Sequence, residues 1–182
     1  MPVVRAVDTG RVEDRMILVY TGNGKGKTSA SVGQAVRALG QGMRVGFFQY
    51  MKREGAAGEQ KILRTLLGDN FIAGGLGFLR SPEQFAEHRA AARALTERVM
   101  ARIPAFDLLV LDEALYALKA AVLTAEELRG ILSLCEKNNT HLVLSGRDVP
   151  DWLAEAAHLV TEMREIKHPY AQGIPAERGI EF

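Results

Sequence analysis

The chain has 182 residues, 47% of them hydrophobic, a single cysteine and a formal net charge of +1. That length supports one good-sized core without calling for a second domain, and a near-neutral, sign-mixed charge leaves no footprint of nucleic-acid or anionic-membrane binding. One cysteine excludes an internal disulfide framework and a multi-cysteine zinc site, no apolar run reaches bilayer length, and the opening residues lack the apolar stretch of a signal peptide, so a cytoplasmic protein working on small molecules is expected.

Residues 1–14 are polar and unpatterned, which predicts a mobile N-terminal arm ahead of a domain covering 15–182. The apolar run Met16-Ile17-Leu18-Val19-Tyr20 predicts a strand, and Ser29-Ala30-Ser31-Val32-Gly33-Gln34-Ala35-Val36 belongs to a helix near 27–40. Between them lies Thr21-Gly22-Asn23-Gly24-Lys25-Gly26-Lys27-Thr28, a phosphate-binding loop. Its glycines let backbone N–H groups turn around an anion, the helix that follows aims the positive end of its dipole there, Lys27 adds a mobile charge and Thr28 a hydroxyl suited to magnesium. The usual pattern G-x-x-x-x-G-K-[ST] requires glycine at position 21; here Thr21 stands there and the first glycine is Gly22. Candidate triphosphate contacts are Gly22, Asn23, Gly24, Lys25, Gly26, Lys27, Thr28 and Ser29.

The strand-like Arg44-Val45-Gly46-Phe47-Phe48-Gln49-Tyr50 completes a β-α-β unit. Segment 68–80 is glycine-rich yet carries Phe71, Phe78 and Leu79, which suits either a mobile apolar lid or a plain surface turn. A helix is expected over 82–102, its many charges forming a solvated face. Phe106-Asp107-Leu108-Leu109-Val110-Leu111 reads as a buried strand, followed by Asp112-Glu113 at its carboxyl end. Two acids there would sit beside the phosphate loop and hold magnesium opposite Thr28; the alternative is that they cap the next helix. Further helices are expected near 124–137 and 150–157, and buried strands at His141-Leu142-Val143-Leu144 and His158-Leu159-Val160-Thr161.

This alternation predicts an α/β fold: a single P-loop NTPase-like (RecA-like) domain with a parallel sheet, helices on both faces and ligands at the carboxyl ends of the strands. Cys135 falls on an apolar helical face and reads as a core thiol. His88, His141, His158 and His168 are scattered, with His141 and His158 at strand margins, and Trp152 reads as an anchor for its helix. No nucleophile or general base stands out.

The stretches Leu111-Asp112-Glu113-Ala114-Leu115-Tyr116-Ala117-Leu118, Leu144-Ser145-Gly146-Arg147-Asp148-Val149-Pro150 and Thr161-Glu162-Met163-Arg164-Glu165-Ile166-Lys167-His168-Pro169-Tyr170, with the ending from Gly173 to Phe182, resemble the P-loop type of ATP:corrinoid adenosyltransferase. The similarity runs from about residue 15 to the C-terminus, and 161–170 is its most specific part. The resemblance implies transfer of the 5′-deoxyadenosyl group of ATP to the cobalt(I) of a reduced corrinoid, with release of inorganic triphosphate. It also implies a Mg2+ (or Mn2+) ion, an electron-donating flavoprotein and a homodimer. Cobalt(I) is a nucleophile with no proton to lose, so the reaction needs alignment and leaving-group stabilisation rather than a base.

By this resemblance Lys27, Thr28 and Glu113 are catalytic, Thr28, Asp112 and Glu113 hold the metal, and the ATP lies reversed relative to ordinary P-loop enzymes. Arg37, Arg147 and Glu59 match nucleotide-contact positions, although for Arg37 and Glu59 a solvated surface charge is an even alternative. The family's Gly-x-Gly-Phe-Thr-Trp segment, which places aromatics under the corrin, is here Gly75-Leu76-Gly77-Phe78-Leu79-Arg80. Phe78 is the candidate corrinoid contact, and Arg80 stands where the family has tryptophan. The competing readings are a P-loop nucleoside kinase and a non-enzymatic ATP switch.

Overall fold

Every strand of the sheet runs parallel to its neighbours, in the order β3-β2-β4-β5-β1-β6. The structure, a computed structural model, describes residues 15–181, so the expected N-terminal arm lies outside the described residues. The strands are β1 (Ile17–Thr21), β2 (Val45–Gln49), β3 (Phe71–Ala73), β4 (Leu108–Asp112), β5 (His141–Ser145) and β6 (Leu159–Glu162). The helices are α1 (Lys27–Gly40), α2 (Gly58–Leu67), α3 (Phe85–Arg102), α4 (Ala114–Lys119), α5 (Ala125–Lys137) and α6 (Asp151–Ala156).

Because side chains alternate across a strand, each central strand feeds two cores. Phe47, Leu108, Val110 and Val143 face one side, where they meet Ala35 and Ala38 of α1 and Leu63 and Leu67 of α2. Phe48, Leu109, Leu111, Leu142 and Leu144 face the other, against residues of α3, α4, α5 and α6. The buried line of α1 is Lys27, Ser31, Ala35 and Ala38, small after its first residue, so the helix lies close to the sheet with its N-terminus at the strand ends. Gly46 has no side chain because the Phe106 ring occupies that space; a Cβ there would come within 2.5–2.7 Å of it. Helix α5 starts as its sequence suggests: Glu127 N donates to Thr124 Oγ1 and Thr124 N donates to Glu127 Oε2, a reciprocal cap.

Two expectations need correction. The segment 158–161 is a strand, but all of β6 is exposed, with Leu159 at 38% and Val160 at 43%. It is an edge strand, and the chain after it continues through irregular backbone and one 3-10 turn, so no following helix covers it. Within 68–80, residues 71–73 are strand β3, and Phe71 is buried against Phe47 and under Arg64. Only the part beyond β3 is loop. Helices α2 and α4 went unpredicted, being short at ten and six residues. No described helix is long and apolar enough to cross a membrane.

Candidate functional site

Strands β1 and β4 are not adjacent; β5 lies between them, and their carboxyl ends converge on one cavity of about 1010 Å³. The loop after β1 lines it through Lys25, Gly26, Lys27, Thr28 and Ser29, and Glu113 enters from the end of β4. Phe78 and Arg80 lie on the same cavity wall system, so the candidate phosphate and corrinoid contacts share one space.

The out-of-place glycine has a structural cause. Thr21 is buried and is still strand, paired with Glu162 of β6, and Met163 N donates to Thr21 O at 2.8 Å. The chain beyond β6 then presses on the loop. Gly24 N donates to Met163 O at 2.7 Å, and Cβ atoms at Gly22 and Gly24 would come within 2.5 and 2.7 Å of that oxygen. These two glycines permit a backbone brace, and the Gly24 amide is committed to it rather than turned toward an anion. Gly26, at φ +118°, is the residue that needs left-handed freedom to start α1.

Lys27 opens α1, and its Nζ donates to Gly22 O at 2.7 Å and Gly24 O at 2.8 Å. Burial lowers its pKa, Arg147 adds to the lowering, and Glu113 and Asp112 oppose it. Asp112 is fully buried and its oxygens are crowded with donors: Ser145 Oγ at 2.6 Å and Thr28 Oγ1 at 3.1 Å on Oδ1, Gln49 Nε2 at 3.0 Å on Oδ2. Glu113 stands just ahead of α4 without a side-chain capping bond, at φ +60°, left-handed for a residue with a side chain, and its N–H donates to Ser145 Oγ. Burial and the neighbouring Asp112 charge raise its carboxyl pKa.

Lys52 was not legible in the sequence, yet it stands at the centre. Its Nζ lies 3.0 Å from Thr28 Oγ1, 3.0 Å from Glu59 Oε1 and 3.2 Å from Asp112 Oδ2. Burial works against its charge, but Asp112 and Glu59 prevail and raise its pKa, while Lys52 lowers that of Glu59 against the effect of burial. Glu59 therefore lines the cavity as the ion-pair partner of Lys52 and is not a solvated surface charge. Gln49 and Ser145 were missed as well. Only the pairing of β2, β4 and β5 brings their ends to Asp112, and neither residue type announces such a role.

The remaining candidates divide. Asn23 is exposed at the loop tip. Lys25 is ion-paired with Glu181 at 2.7 Å, which lays the chain's end beside the loop. Arg147 is exposed but acts electrostatically on both Lys27 and Glu113. Arg37 is not brought to the cavity: it is exposed in the last turn of α1, ten residues past Lys27 and so about 15 Å along the helix. Its charge instead lies near the Tyr20 hydroxyl.

Phe78 is 67% exposed, its ring edge-on to Tyr116 with centroids 5.9 Å apart. The loop carrying it is tied to β2 and the segment beyond, with Gly74 N donating to Gln49 O and Gly75 N to Lys52 O. No histidine is among the residues lining the cavity. His141 Nδ1 accepts from Met16 N at 2.9 Å and His158 Nδ1 from Ile17 N at 3.0 Å, so both cap the start of β1. Cys135 is buried, its thiol pushed up to about 12.

Among the described residues no group of three or more His, Cys, Asp or Glu side chains gathers as a metal site. The hydroxyl of Thr28 with the carboxylates of Asp112 and Glu113 still fits magnesium, which takes few protein oxygens and completes its shell with phosphate and water.

A family model described as ATP:corrinoid adenosyltransferase BtuR/CobO/CobP matches residues 13–182. A corrinoid adenosyltransferase of Sinorhizobium sp is 35% identical over 174 residues, covering 93% of this chain and 81% of the relative. One of Pseudomonas aeruginosa is 36% identical over 178 residues, covering 94% and 86%, and one of Salmonella typhimurium 33% identical over 172 residues, covering 93% and 87%.

Proposed function

The chain belongs to the ATP:corrinoid adenosyltransferase family, and from that premise we propose how its residues carry out the reaction. The activity itself is transfer of the 5′-deoxyadenosyl group of ATP to the cobalt(I) of a reduced corrinoid, with triphosphate as leaving group. Membership displaces the kinase and switch readings. The observation that carries the site reading is the shared cavity: phosphate-loop residues and the exposed ring of Phe78 border one space.

In this reading Lys27 and the loop amides other than Gly24's bind the triphosphate; Lys27 exchanges its own loop carbonyls for phosphate oxygens when ATP binds, and so is in place before charge develops as the 5′-carbon is attacked. Thr28, Asp112 and Glu113 would hold a Mg2+ (or Mn2+) ion, which neutralises part of the triphosphate charge when bound. The crowding of Asp112 by Ser145, Thr28 and Gln49 supports a role through water or through Thr28 for this residue, leaving Glu113 the more available carboxylate. Arg147 adds positive charge beside Lys27, whereas Arg37 contributes nothing at the cavity. Phe78 meets the corrin face and keeps water from it. No residue need remove a proton, in keeping with His141 and His158 being held as backbone caps.

The parallel sheet in which β5 separates the phosphate-loop strand from the acid-bearing strand supports a RecA-like arrangement. A homodimer and an electron-donating flavoprotein complete the reading; the exposed edge strand β6 supports the first. The deciding experiment is to identify the phosphate product formed from ATP with chemically reduced cobalamin. Triphosphate in amounts equal to adenosylated corrinoid is expected, and ADP with phosphate as the only products would overturn the reading.

A further inference from the structure

Lys52 has a place that the triphosphate chemistry leaves unexplained. Its ammonium is in contact with Thr28 Oγ1, Asp112 Oδ2 and Glu59 Oε1, all at 3.0–3.2 Å. Thr28 and Asp112 are also two of the three groups read as holding a divalent ion, Asp112 through Thr28 or water. We propose that Lys52 is the resident cation of the metal position: its ammonium occupies these oxygens in the nucleotide-free protein, so that a divalent ion enters together with ATP and not before it. This rests on the reading of Thr28 and Asp112 as the metal position.

The charges make the case. Asp112 is fully buried and Glu59 half-buried, so an empty site would hold two carboxylates without a cation, which is costly in a low-dielectric surrounding. Lys52 neutralises them. A magnesium ion needs oxygens at about 2.0–2.1 Å and few of them from protein, and it is not accommodated beside an ammonium on the same hydroxyl and carboxylate. Too few acidic groups gather among the described residues to hold a divalent ion tightly on their own. Phosphate oxygens must make up the set, and their negative charge is also what would draw the ammonium away.

The backbone is arranged for such an exchange. Met51, just before Lys52, is held at φ +49°, and Lys52 O accepts from Gly75 N at 3.0 Å. The main chain is therefore pinned on both sides, while the side chain is a flexible four-carbon stem. Lys52 also lines the cavity, so an ammonium released from Asp112 stays within it and faces the triphosphate. The positive charge is moved and not lost. The metal and Lys52 then act on the leaving group from neighbouring places.

The test follows Mn2+ binding by electron paramagnetic resonance for wild type, K52M and K52R, each with and without ATP. Nucleotide-free wild type and K52R should bind Mn2+ weakly, and nucleotide-free K52M more tightly by roughly ten-fold or more, as removal of a unit charge at this range requires. With ATP all three should show the protein-bound Mn2+ spectrum. If K52M does not fold, judged by circular dichroism, K52Q carries the same expectation because it removes the charge while keeping a polar side chain. Equal Mn2+ affinity in nucleotide-free wild type and the neutral variant, with Mn2+ still bound in the presence of ATP, would overturn the role of Lys52 alone. A bound-Mn2+ spectrum with ATP that is unchanged by Thr28→Ala would overturn the metal position itself.

Discussion

The two ends of the cavity are built in opposite ways. At the phosphate-loop end the central polar groups are tied down: Lys27 to two carbonyls, Thr28 to Asp112, Asp112 to Ser145 and Gln49, and the loop backbone to Met163. At the other end Phe78 stands 67% exposed with an aromatic contact to Tyr116, and Arg80 is open to solvent. A transition state that develops charge needs donors fixed beforehand, since reorienting them during the reaction costs the stabilisation they offer. A flat apolar ring system needs a surface, and an exposed phenylalanine is one. On the proposed function the first end is prepared for chemistry and the second for contact.

The largest expected effect tests the prepared end. Lys27→Ala should lower kcat by about 10²–10³ while leaving the melting temperature close to wild type, because Lys27 Nζ bonds only its own loop in the free protein. Near-normal turnover would refute the leaving-group role. Gly24→Ala should come next. Its Cβ would meet Met163 O and the Arg164 backbone at 2.7–2.8 Å, and neither can swing away as a side-chain tip does. Forcing such contacts costs about 1–3 kcal/mol, so a lower melting temperature and weaker ATP binding by calorimetry are expected together; wild-type ATP affinity would show that the brace does not shape the loop.

Phe78→Ala probes the contact end. The corrinoid KM should rise roughly five- to ten-fold, from about 1 kcal/mol of lost apolar contact, with ATP affinity unchanged. A change confined to ATP binding would erase the distinction between the ends.

The smallest effect lies far from both. Asp107 accepts from Arg44 Nε, Nη2 and the Arg44 backbone N–H, and these bonds hold its carboxyl down to about 2 against an ordinary value of 3.8. A depressed carboxyl pKa gives stability that is fully present above the unfolded value and lost as pH falls through the folded one. Acid unfolding of wild type should therefore steepen between about pH 4 and pH 2, and Asp107→Asn should flatten that part of the curve with turnover at neutral pH unaltered. A mutant curve that superimposes on wild type would show the pair to be without effect, as many exposed ion pairs are.

Much of this was legible in the chain. Strand, loop and helix at 16–40 are local, with glycine, lysine and threonine at fixed offsets, and the apolar run before Asp112 could only be a buried strand. Helix α5 was legible as an apolar helical face carrying Cys135, while its cap by Thr124 and Glu127 came from the structure. What failed did so for identifiable reasons. β6 has the composition of a core strand, and its exposure depends on whether anything later in the chain covers it. Phe71 and Phe78 look alike in a glycine-rich segment, yet one is buried beside Phe47 and the other faces the cavity. Arg37 lies about three turns along α1 from Lys27 and so does not reach the loop, and Lys52 is an ordinary lysine until β2 pairs with β4.

By itself the sequence determined the glycine loop between β1 and α1 and the paired acids after β4, because glycine spacing, charge and apolar runs act over a few residues and leave a local record; the family was legible through its resemblance at stretches such as 161–170. The tertiary structure alone decided why Gly22 and Gly24 are glycines, which cation neutralises Asp112 and which phenylalanine is free. Each of those depends on backbone from residues 163–164, 52 or 75 being packed against a distant segment, and close packing is a property of the folded chain that no short window contains.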